Sequence, residues 1–359
     1  MEQNSKSDFK SLSWDVSEET YRADSALSYS MLSKFNREGF NNLSTLKDKV
    51  DSPSLLFGSM VDTLITDGTE AFEKKYMAAE YKSPSDAQMK IAKDLYDNFN
   101  ETYISIEDIP DSVILGRAEA YKYQTNWRNE TRVKVLKESC SEYYNLRKAA
   151  GDRILVESSM VNDAMNCRQA LYENPRTSKM FVEDPFDTDI QRYFQLKFRG
   201  SFKSVITENT VIPLRCMADL IIVDHSSKKI IPVDLKTSSK KEWDFHKSFY
   251  EWGYWIQAQL YWYIIHEAML KDPVFSSYVL QDYRFVVVNR ESLTPLVWTY
   301  GDTEKTTDAI YGRRGNLVCR NWRGIASELW YYLTHEDRKV PLGIESEYTN
   351  NITEWMNKY

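Results

Sequence analysis

The stretch VIPLRCMADLIIVDHSSKKIIPVDLKTSS, residues 211–239, carries the clearest strand pattern in this sequence. It contains two apolar runs, Leu220–Val223 and Ile230–Val233, each short enough for a buried β-strand. The polar segment between them, His225–Lys228, is typical of a hairpin turn. We therefore expect two antiparallel strands in the middle of a sheet.

Charged residues stand at one end of each apolar run. Asp219 precedes the first run, Asp234 follows the second, and Lys236 comes two residues later. In an antiparallel hairpin both aspartates lie near the same open end of the strands, and Lys236 shares a face with Asp234 because side chains alternate along a strand. A buried charge is costly unless it is paired or binds a metal, so these residues predict a site.

The residue types at this predicted site suit a divalent cation. Mg²⁺ and Mn²⁺ prefer carboxylate, carbonyl and water oxygens, so Asp219, Asp234 and the carbonyl of Leu235 are candidate ligands. Lys236 would hold or deprotonate an attacking water, or neutralise charge developing on a phosphate. Phosphodiester hydrolysis needs this combination. The alternative is that both aspartates are water-exposed strand ends and Lys236 is an ordinary ion-pair partner.

The character of the sequence divides the chain into segments. Residues 1–24 are polar and predict a loose tail, residues 25–300 predict one domain with a helical insertion at about 80–180, and residues 301–359 predict a C-terminal helical segment. The order of helices and strands predicts an α+β (or α/β) fold with a mixed central β-sheet flanked by helices.

Individual elements follow from periodicity and from start and stop signals. We expect helices at Leu27–Phe35, capped by Ser28 or Ser30, and at Leu55–Thr66. Ile190–Gly200 alternates like a strand. A single long helix is predicted over Phe245–Leu270, followed by two strands within Tyr283–Tyr300.

Composition narrows the classes of protein. The chain has 359 residues, a net charge of −7 and 42% hydrophobic residues, which is typical of a globular protein. It has no apolar leader and no apolar run of membrane-spanning length, so we expect a cytoplasmic protein with no membrane partner. The four cysteines are far apart and the four histidines are scattered, which argues against a Cys- or His-based metal centre and favours buried free thiols.

Two further motifs accompany the aspartates and the lysine. The long predicted helix carries Gln257 and, one turn later, Tyr261; far upstream, Gly58 precedes Asp62 by four residues. The whole order of motifs resembles the PD-(D/E)XK nuclease superfamily, in particular its phage-type exonuclease VIII (RecE-like) branch and the RecB-type nuclease domain. The matching positions are Leu27–Ser30, Gly58–Asp62, Asp67, Phe72–Tyr76, Asp219, Asp234-Leu235-Lys236-Thr237, Gln257 and Tyr261.

The resemblance implies a restriction-endonuclease-like core with a helical N-terminal addition. It implies a Mg²⁺- or Mn²⁺-dependent deoxyribonuclease, an exonuclease on double-stranded DNA more than an endonuclease, acting in recombination or DNA processing. Asp219, Asp234 and Lys236 would be catalytic, with Gln257 and Tyr261 orienting Lys236 or a DNA phosphate. A phage- or prophage-encoded protein of a bacterial host cell, a single-strand annealing partner and a homo-oligomer are further implications.

Departures from the family pattern bear on the metal site. Asp62 stands where many relatives have His, and it would serve as a further metal ligand, or alternatively only cap or pair within its helix. Relatives often carry Glu on the strand before Asp219, whereas this chain offers Gln191 and Gln195, which are poorer ligands. We therefore expect weaker catalysis or a single metal ion.

A local excess of lysine follows the predicted site despite the acidic net charge. Lys240, Lys241 and Lys247 are candidate contacts to a DNA backbone, the alternative being a solvated helix start. Two rival functions remain: a nuclease-fold protein that binds nucleic acid or a protein without cutting, and a structural phage protein that reuses the fold. Endonuclease action is the rival within the enzyme class.

Overall fold

The computed structural model describes residues 7–48, 52–301, 311–314 and 317–335. The predicted α+β class is confirmed, with a mixed sheet flanked by helices. The chain divides into two compact units: the sheet unit, Met1–Gly58 with Gln169–Tyr359, and the helical unit, Ser59–Arg168. The sequence predicts the helical insertion at about 80–180; the helical unit begins earlier, inside a helix.

Helices predominate up to Phe181, and the longer strands follow that residue. The helices are α1 (Glu18–Ala23), α2 (Tyr29–Glu38), α3 (Pro53–Thr66), α4 (Gly68–Lys75), α5 (Asp86–Phe99), α6 (Asp111–Ala120), α7 (Asn129–Ala150), α8 (Ser158–Glu173), α9 (Ser178–Phe181), α10 (Phe245–Glu251), α11 (Tyr254–Leu270) and α12 (Trp322–Thr334). The strands are β1 (Tyr76–Ala79), β2 (Ile154–Glu157), β3 (Ile190–Lys203), β4 (Val211–Asp224), β5 (Lys229–Ser238), β6 (Val279–Leu280), β7 (Tyr283–Asn289), β8 (Leu296–Tyr300), β9 (Tyr311–Arg314) and β10 (Leu317–Arg320).

The central sheet has the strand order β3-β4-β5-β7-β8, with β6 paired beside β5. Strands β3, β4 and β5 form antiparallel pairs in that order, β5 and β7 are parallel, and β7 and β8 are antiparallel. A parallel pair needs a crossover connection, which α10 and α11 provide in this sheet. Helix α11 packs on β3, β4 and β7, so the core of the sheet unit lies beneath this helix.

The predicted hairpin is confirmed, with strands β4 and β5 where the apolar runs placed them. Asp224 pairs with Lys229 at the end of the ladder, and the turn spans the four residues between them. The carboxylate of Asp224 accepts hydrogen bonds from the Ser226 hydroxyl and from the backbone and hydroxyl of Ser227. Lys228 closes the turn in the left-handed region, at φ 52°. The two serines therefore stabilise the turn through local bonds to one carboxylate.

The N-terminal segment differs from the predicted loose tail within the part that the structure describes. A short 3-10 helix, Phe9–Leu12, precedes α1. Phe9 is fully buried, with its ring edge-on to Phe275 at 4.9 Å between centroids. Burying one Phe side chain contributes about 1.5–3 kcal/mol, which a polar-looking segment can gain from one well-placed residue.

The single long helix predicted over Phe245–Leu270 is wrong. The chain forms two helices, α10 and α11, separated at Trp252 and Gly253. Gly253 adopts a left-handed conformation at φ 65° and ψ 42°, which glycine reaches at little cost and which ends a helical run. The apolar periodicity continued across the break and concealed it.

Gly253→Ala is expected to lower the free energy of unfolding by about 1–2 kcal/mol, because a Cβ disfavours the left-handed conformation. That Cβ would also lie 3.2 Å from Cδ1 of Ile256. Urea unfolding checks the value. Gly116→Ala, in the interior of α6 with open space around the added Cβ, is the matched control and is expected to leave stability equal or slightly higher.

The helical C-terminal segment predicted over 301–359 is only partly helical where the structure describes it. Strands β9 and β10 form a two-stranded antiparallel ladder, and α12 follows. The remainder of that prediction lies outside the described residues. Asn321 caps α12, its side chain accepting a hydrogen bond from the Arg323 backbone. The apolar face of α12 places Trp322, Ile325 and Leu329 in the sheet-unit core.

The helical unit has a core of its own. Strands β1 and β2 are parallel, and most residues that line the core come from α5, α6 and α7. Fully buried members include Ile91, Leu95, Ile114, Leu136 and Tyr144. The α-helical periodicity predicted this region as mostly helical, and it is.

Two expectations from composition bear on the fold. Cys140, Cys167 and Cys216 are buried free thiols, as predicted, and burial raises the pKa of Cys140 to about 12. Across the described ranges no helix has both the length and the apolar character that crossing a membrane requires.

Candidate active site

The candidate site lies where β4 and β5 separate. Their ladder ends at the pair Leu220–Val233, so the next residues along the two strands are Asp219 and Asp234. The backbone N–H of Leu235 donates to Oδ2 of Asp219 at 2.9 Å. A carboxylate thus takes the position that a backbone carbonyl would occupy if the ladder continued. The two aspartates share one end of the hairpin, as the sequence predicted.

The edge of β4 beyond this separation is covered by the segment before α2. The Leu27 N–H donates to the Pro213 carbonyl at 3.0 Å, and the Arg215 N–H donates to the Leu27 carbonyl at 2.9 Å. Leu27 is fully buried. This bridge gives a physical reason for the Leu-Ser-Tyr-Ser motif: it starts α2 beside the gap and places Tyr29 next to the candidate site.

On its other side, Asp219 faces an irregularity in β3. The pairs Phe194–Leu220 and Leu196–Ala218 continue one register, which places Gln195 opposite Asp219. Gln195 has φ 54°, a left-handed conformation that costs a non-glycine residue about 1–3 kcal/mol. Such distortions in strands are concentrated beside functional sites. One of the two glutamines expected to replace a family Glu therefore lies opposite Asp219 in the register.

Asp234 is held by two side chains and is 1% exposed. Gln257 Nε2, from α11, donates to its Oδ1 at 2.5 Å. The Lys236 ammonium lies 2.5 Å from its Oδ2. Asp234 and Lys236 lie on the same face of β5 and contact each other, as predicted. Because the carboxylate is buried, this is not an ordinary exposed ion pair.

The environment of Lys236 favours its charged form. Burial would lower the pKa of this lysine, but the neighbouring Asp234 carboxylate, with smaller contributions from Tyr254 and Asp219, outweighs burial and holds the pKa above its ordinary value. The ammonium also lies 4.8 Å from the centre of the Tyr254 ring, in a cation–π contact. Of the roles considered for Lys236, a fixed cation suits this geometry better than a base.

Two tyrosines complete the surroundings of Lys236, and sequence reasoning missed both. The rings of Tyr29 and Tyr254 lie 6.2 Å apart between centroids. Burial raises the pKa of each above its ordinary value, so both stay protonated at neutral pH. The signal for Tyr254 was available: it precedes Gln257 by three residues, which places both on one face of a helix. Tyr29 lies in a remote segment of the chain, and the Leu27–Ser30 motif was the one sequence feature that included it.

The helix residues predicted to orient Lys236 have other contacts. Gln257 binds Asp234 instead of Lys236. Tyr261 lies in the core with its ring edge-on to Tyr283 at 6.2 Å, and burial raises its pKa well above the ordinary value. Gln257 therefore positions the Asp234 carboxylate, and Tyr261 packs in the core beneath it.

The upstream glycine motif meets β5 directly after the charged residues. A Cβ on Gly58 would lie 3.2 Å from the Thr237 hydroxyl oxygen, so the first half of α3 packs closely against the Asp-Leu-Lys-Thr segment. Asp62 lies further along α3, in the helical unit, where it is partly buried. Its predicted role as a metal ligand stays a prediction.

The lysines predicted to bind DNA are largely engaged with other side chains. Lys240 forms an ion pair with Glu251, and Lys247 forms one with Asp244 at 2.8 Å. Lys241 stacks 5.1 Å over the Trp243 ring. These contacts reduce the positive charge that the segment presents, although surface pairs of this kind contribute at most about 1 kcal/mol and can be exchanged for a phosphate.

Gln191, the other glutamine considered as a poor metal ligand, is committed elsewhere. Its Oε1 accepts a hydrogen bond from the Tyr193 hydroxyl at 2.6 Å and lies 2.8 Å from Nε2 of His225. The His225 Nδ1 atom lies 2.9 Å from the Tyr278 hydroxyl. This network fixes the far end of β3, so Gln195, and not Gln191, belongs to the candidate site.

The oxygens at the separation of β4 and β5 fit a hard divalent cation. Asp219 and Asp234 supply carboxylates, and the Leu235 carbonyl points to the same side of β5 as its N–H, toward Asp219. Apart from the Lys236 ion pair, Asp234 Oδ2 has no hydrogen-bond partner among the described residues, and the buried Gln257 Oε1 has none. Mg²⁺ is commonly held by one or two carboxylates together with substrate phosphates.

A larger ligand cluster is not found in the part of the chain that the structure describes. Within those ranges no group of three or more His, Cys, Asp or Glu side chains converges on one point.

No family model matches the sequence, and no curated protein matches it. The chemistry of this cluster of aspartates, lysine and glutamine is therefore the basis for assigning a function.

Proposed function

We propose that this protein is a Mg²⁺- or Mn²⁺-dependent nuclease that hydrolyses phosphodiester bonds in DNA. The observation that carries the proposal is the buried Asp234 carboxylate, bound by Lys236 and Gln257 and adjacent to Asp219 where two strands part. Buried charges of this kind are costly for folding, so their concentration at a strand end favours a functional role.

Each residue has a role that its contacts support. Asp219 and Asp234, with the Leu235 carbonyl, would hold the divalent ion, which when bound supplies a Lewis acid for the phosphoryl oxygen and an acidified water. Gln257 fixes the orientation of Asp234 through its amide N–H. Lys236 remains an ammonium and neutralises negative charge that develops on the phosphate. Tyr254 limits where the ammonium can move.

The preference for an exonuclease over an endonuclease follows from the resemblance of the motif order to phage-type exonucleases. The same resemblance supports a role in recombination or DNA processing in a bacterial cytoplasm, with a single-strand annealing partner and a homo-oligomeric state.

Digestion of end-labelled linear DNA and closed circular DNA tests the proposal. With Mg²⁺ or Mn²⁺, the wild type is expected to degrade the linear DNA only. Lys236→Ala is expected to reduce the initial rate about a hundredfold or more, because the transition state loses its cation. Lys229→Ala, an exposed lysine at the opposite end of the same strand, is the matched control and is expected to keep the wild-type rate.

The outcomes separate the candidate functions. Cutting of the circle would change the proposal from an exonuclease to an endonuclease that uses the same residues. Absence of cutting by a folded wild type that still shifts DNA in a gel would overturn the enzymatic proposal and favour a nuclease-fold protein that only binds. Equal rates for Lys236→Ala and Lys229→Ala would remove Lys236 from the mechanism.

A further inference from the structure

The break between α10 and α11 presents an aromatic side chain at the surface of the sheet unit. Trp252 is 42% exposed although it lies between two helices that pack on the core. The guanidinium carbon of Arg37, on α2, lies 4.8 Å from the centre of the Trp252 ring. We refer to these two side chains as the Trp252 platform.

The Trp252 platform is held rigidly from α2. The Trp252 carbonyl accepts hydrogen bonds from the Tyr29 hydroxyl at 2.8 Å and from the Ser33 hydroxyl at 2.6 Å. The Ser33 oxygen in turn accepts a hydrogen bond from Nη1 of Arg37 at 2.6 Å. Helix α2 therefore fixes the Trp252 backbone and the Arg37 guanidinium, which reduces the conformational entropy that is lost when a ligand binds.

The charge of Arg37 is not neutralised by a carboxylate from any described residue. A second arginine–tryptophan pair in the sheet unit gives the contrast: Arg199 lies 4.5 Å over the Trp14 ring and forms an ion pair with Asp24 at 2.7 Å. Arg37 has the same stacking contact without the ion pair. An anion would bind Arg37 without first displacing a carboxylate of the described residues, whereas at Arg199 it would have to displace Asp24.

A continuous set of contacts joins the Trp252 platform to the candidate active site. Tyr29, which binds the Trp252 carbonyl, is 6.2 Å from Tyr254 between ring centroids. The Tyr254 ring lies 4.8 Å from the Lys236 ammonium, which binds Asp234. The platform is thus separated from the Lys236–Asp234 pair by a layer of two aromatic side chains.

We propose that the Trp252 platform receives an unpaired nucleotide of the DNA strand that is being hydrolysed. This inference rests on the proposed nuclease function and names the form of its substrate: a strand end whose terminal base is unpaired. A base would stack on the exposed surface of Trp252, an interaction open to every base, and Arg37 would bind its phosphate. The neutral tyrosines between the platform and Lys236 would guide the sugar–phosphate backbone to the metal-binding carboxylates.

Binding measured without hydrolysis tests the platform. A duplex with a short single-stranded overhang carries 2-aminopurine as its terminal base, and chelator keeps the DNA intact. The wild type is expected to quench the 2-aminopurine fluorescence by stacking. Trp252→Ala is expected to abolish the quenching and weaken binding about tenfold, and Trp252→Phe is expected to restore most of both. Trp14→Ala is the matched control and is expected to behave as wild type.

Arg37→Gln gives a second variant that does not depend on replacing the large ring. It is expected to keep the quenching and to reduce the salt dependence of log K by about 0.7, the value for one phosphate contact on a single strand. Circular dichroism checks that both variants are folded.

The possible failures are distinguishable. If the wild type digests DNA but Trp252→Ala quenches and binds as the wild type does, the platform is overturned while the nuclease proposal stands. If the wild type binds with quenching but never cuts, the platform is supported and the catalytic proposal fails. If the wild type neither binds nor cuts DNA, both are overturned, and a protein ligand becomes the occupant to seek.

Discussion

Asp234→Asn is expected to reduce the rate of phosphodiester hydrolysis about a thousandfold or more, the largest effect we predict for activity. The change is isosteric and keeps an oxygen that can accept the Gln257 hydrogen bond. It removes the negative charge that pairs with Lys236 and that the proposed divalent ion would need. A thousandfold loss corresponds to about 4 kcal/mol of transition-state stabilisation.

The measurement is the initial rate on linear DNA at saturating Mg²⁺, with Mn²⁺ binding to the protein alone followed by titration calorimetry. Both are expected to be lost together in Asp234→Asn. Asp111→Asn is the matched control, because Asp111 forms an ion pair with Lys137 at 2.8 Å but is exposed. An Asp234→Asn protein that retains more than a tenth of the wild-type rate would contradict the assignment of this carboxylate.

Glu242→Ala is expected to destabilise the sheet unit by about 3–5 kcal/mol, the largest stability effect we predict. The Glu242 side chain is fully buried, yet its carboxylate is paired with hydrogen-bond donors from the β7–β8 connection. Oε1 accepts from the backbone N–H groups of Asn289 and Thr294, both at 3.1 Å, and Oε2 accepts from the Ser292 hydroxyl at 2.7 Å. Alanine would deprive all three donors of this acceptor, and each buried donor left without a partner costs about 1 kcal/mol or more.

Urea unfolding measures the effect, followed by a probe in each unit because the two units need not unfold together. Glu242→Gln retains one carbonyl oxygen as acceptor, so its cost is expected to be about half as large. Glu251→Ala, which removes an exposed carboxylate, is the control and is expected to change stability by less than about 1 kcal/mol. A Glu242→Ala protein as stable as this control would show that the β7–β8 connection rearranges freely.

The chain segment that binds Glu242 also holds the end of β5, which carries Lys236. The Asn289 side chain donates to the carbonyls of Ser238 and Lys240, at the end of β5 and directly after it. The same connection that binds Glu242 therefore fixes the chain two residues beyond Lys236. We expect Glu242→Gln to lower the hydrolysis rate through looser positioning of Lys236 while the affinity for DNA changes little.

Local sequence determined the hairpin and its charges. The two short apolar runs predicted β4 and β5, and strand parity put Asp234 and Lys236 on one face. These properties depend on residues within about twenty positions of one another. Because side chains alternate between the two faces of a strand, only one register buries the apolar residues. The α+β class followed for the same reason, because helical and strand periodicities were distinct along the chain.

Periodicity failed where one residue's backbone conformation decided the outcome. Gly253 splits an apolar helical pattern without changing its spacing, and Gln195 leaves the regular strand conformation inside an alternating run. The residues on either side of these two positions are not of the types that indicate a turn. Phe9 gives another example, in the N-terminal segment. Its buried ring anchors a polar segment that has no apolar periodicity from which a prediction could be made.

Which side chains carry charge at the end of the hairpin, and that they lie close together, could be predicted from the local sequence. Their contacts depend on the folded chain: Asp219 accepts a hydrogen bond from the Leu235 N–H, and Gln257 donates one to Asp234. Tyr29, from α2, lies beside Tyr254. Contacts between segments far apart in the chain depend on where strands separate and helices break. The positions of these separations and breaks follow from the packing of the whole sheet unit, so a local sequence pattern does not predict them.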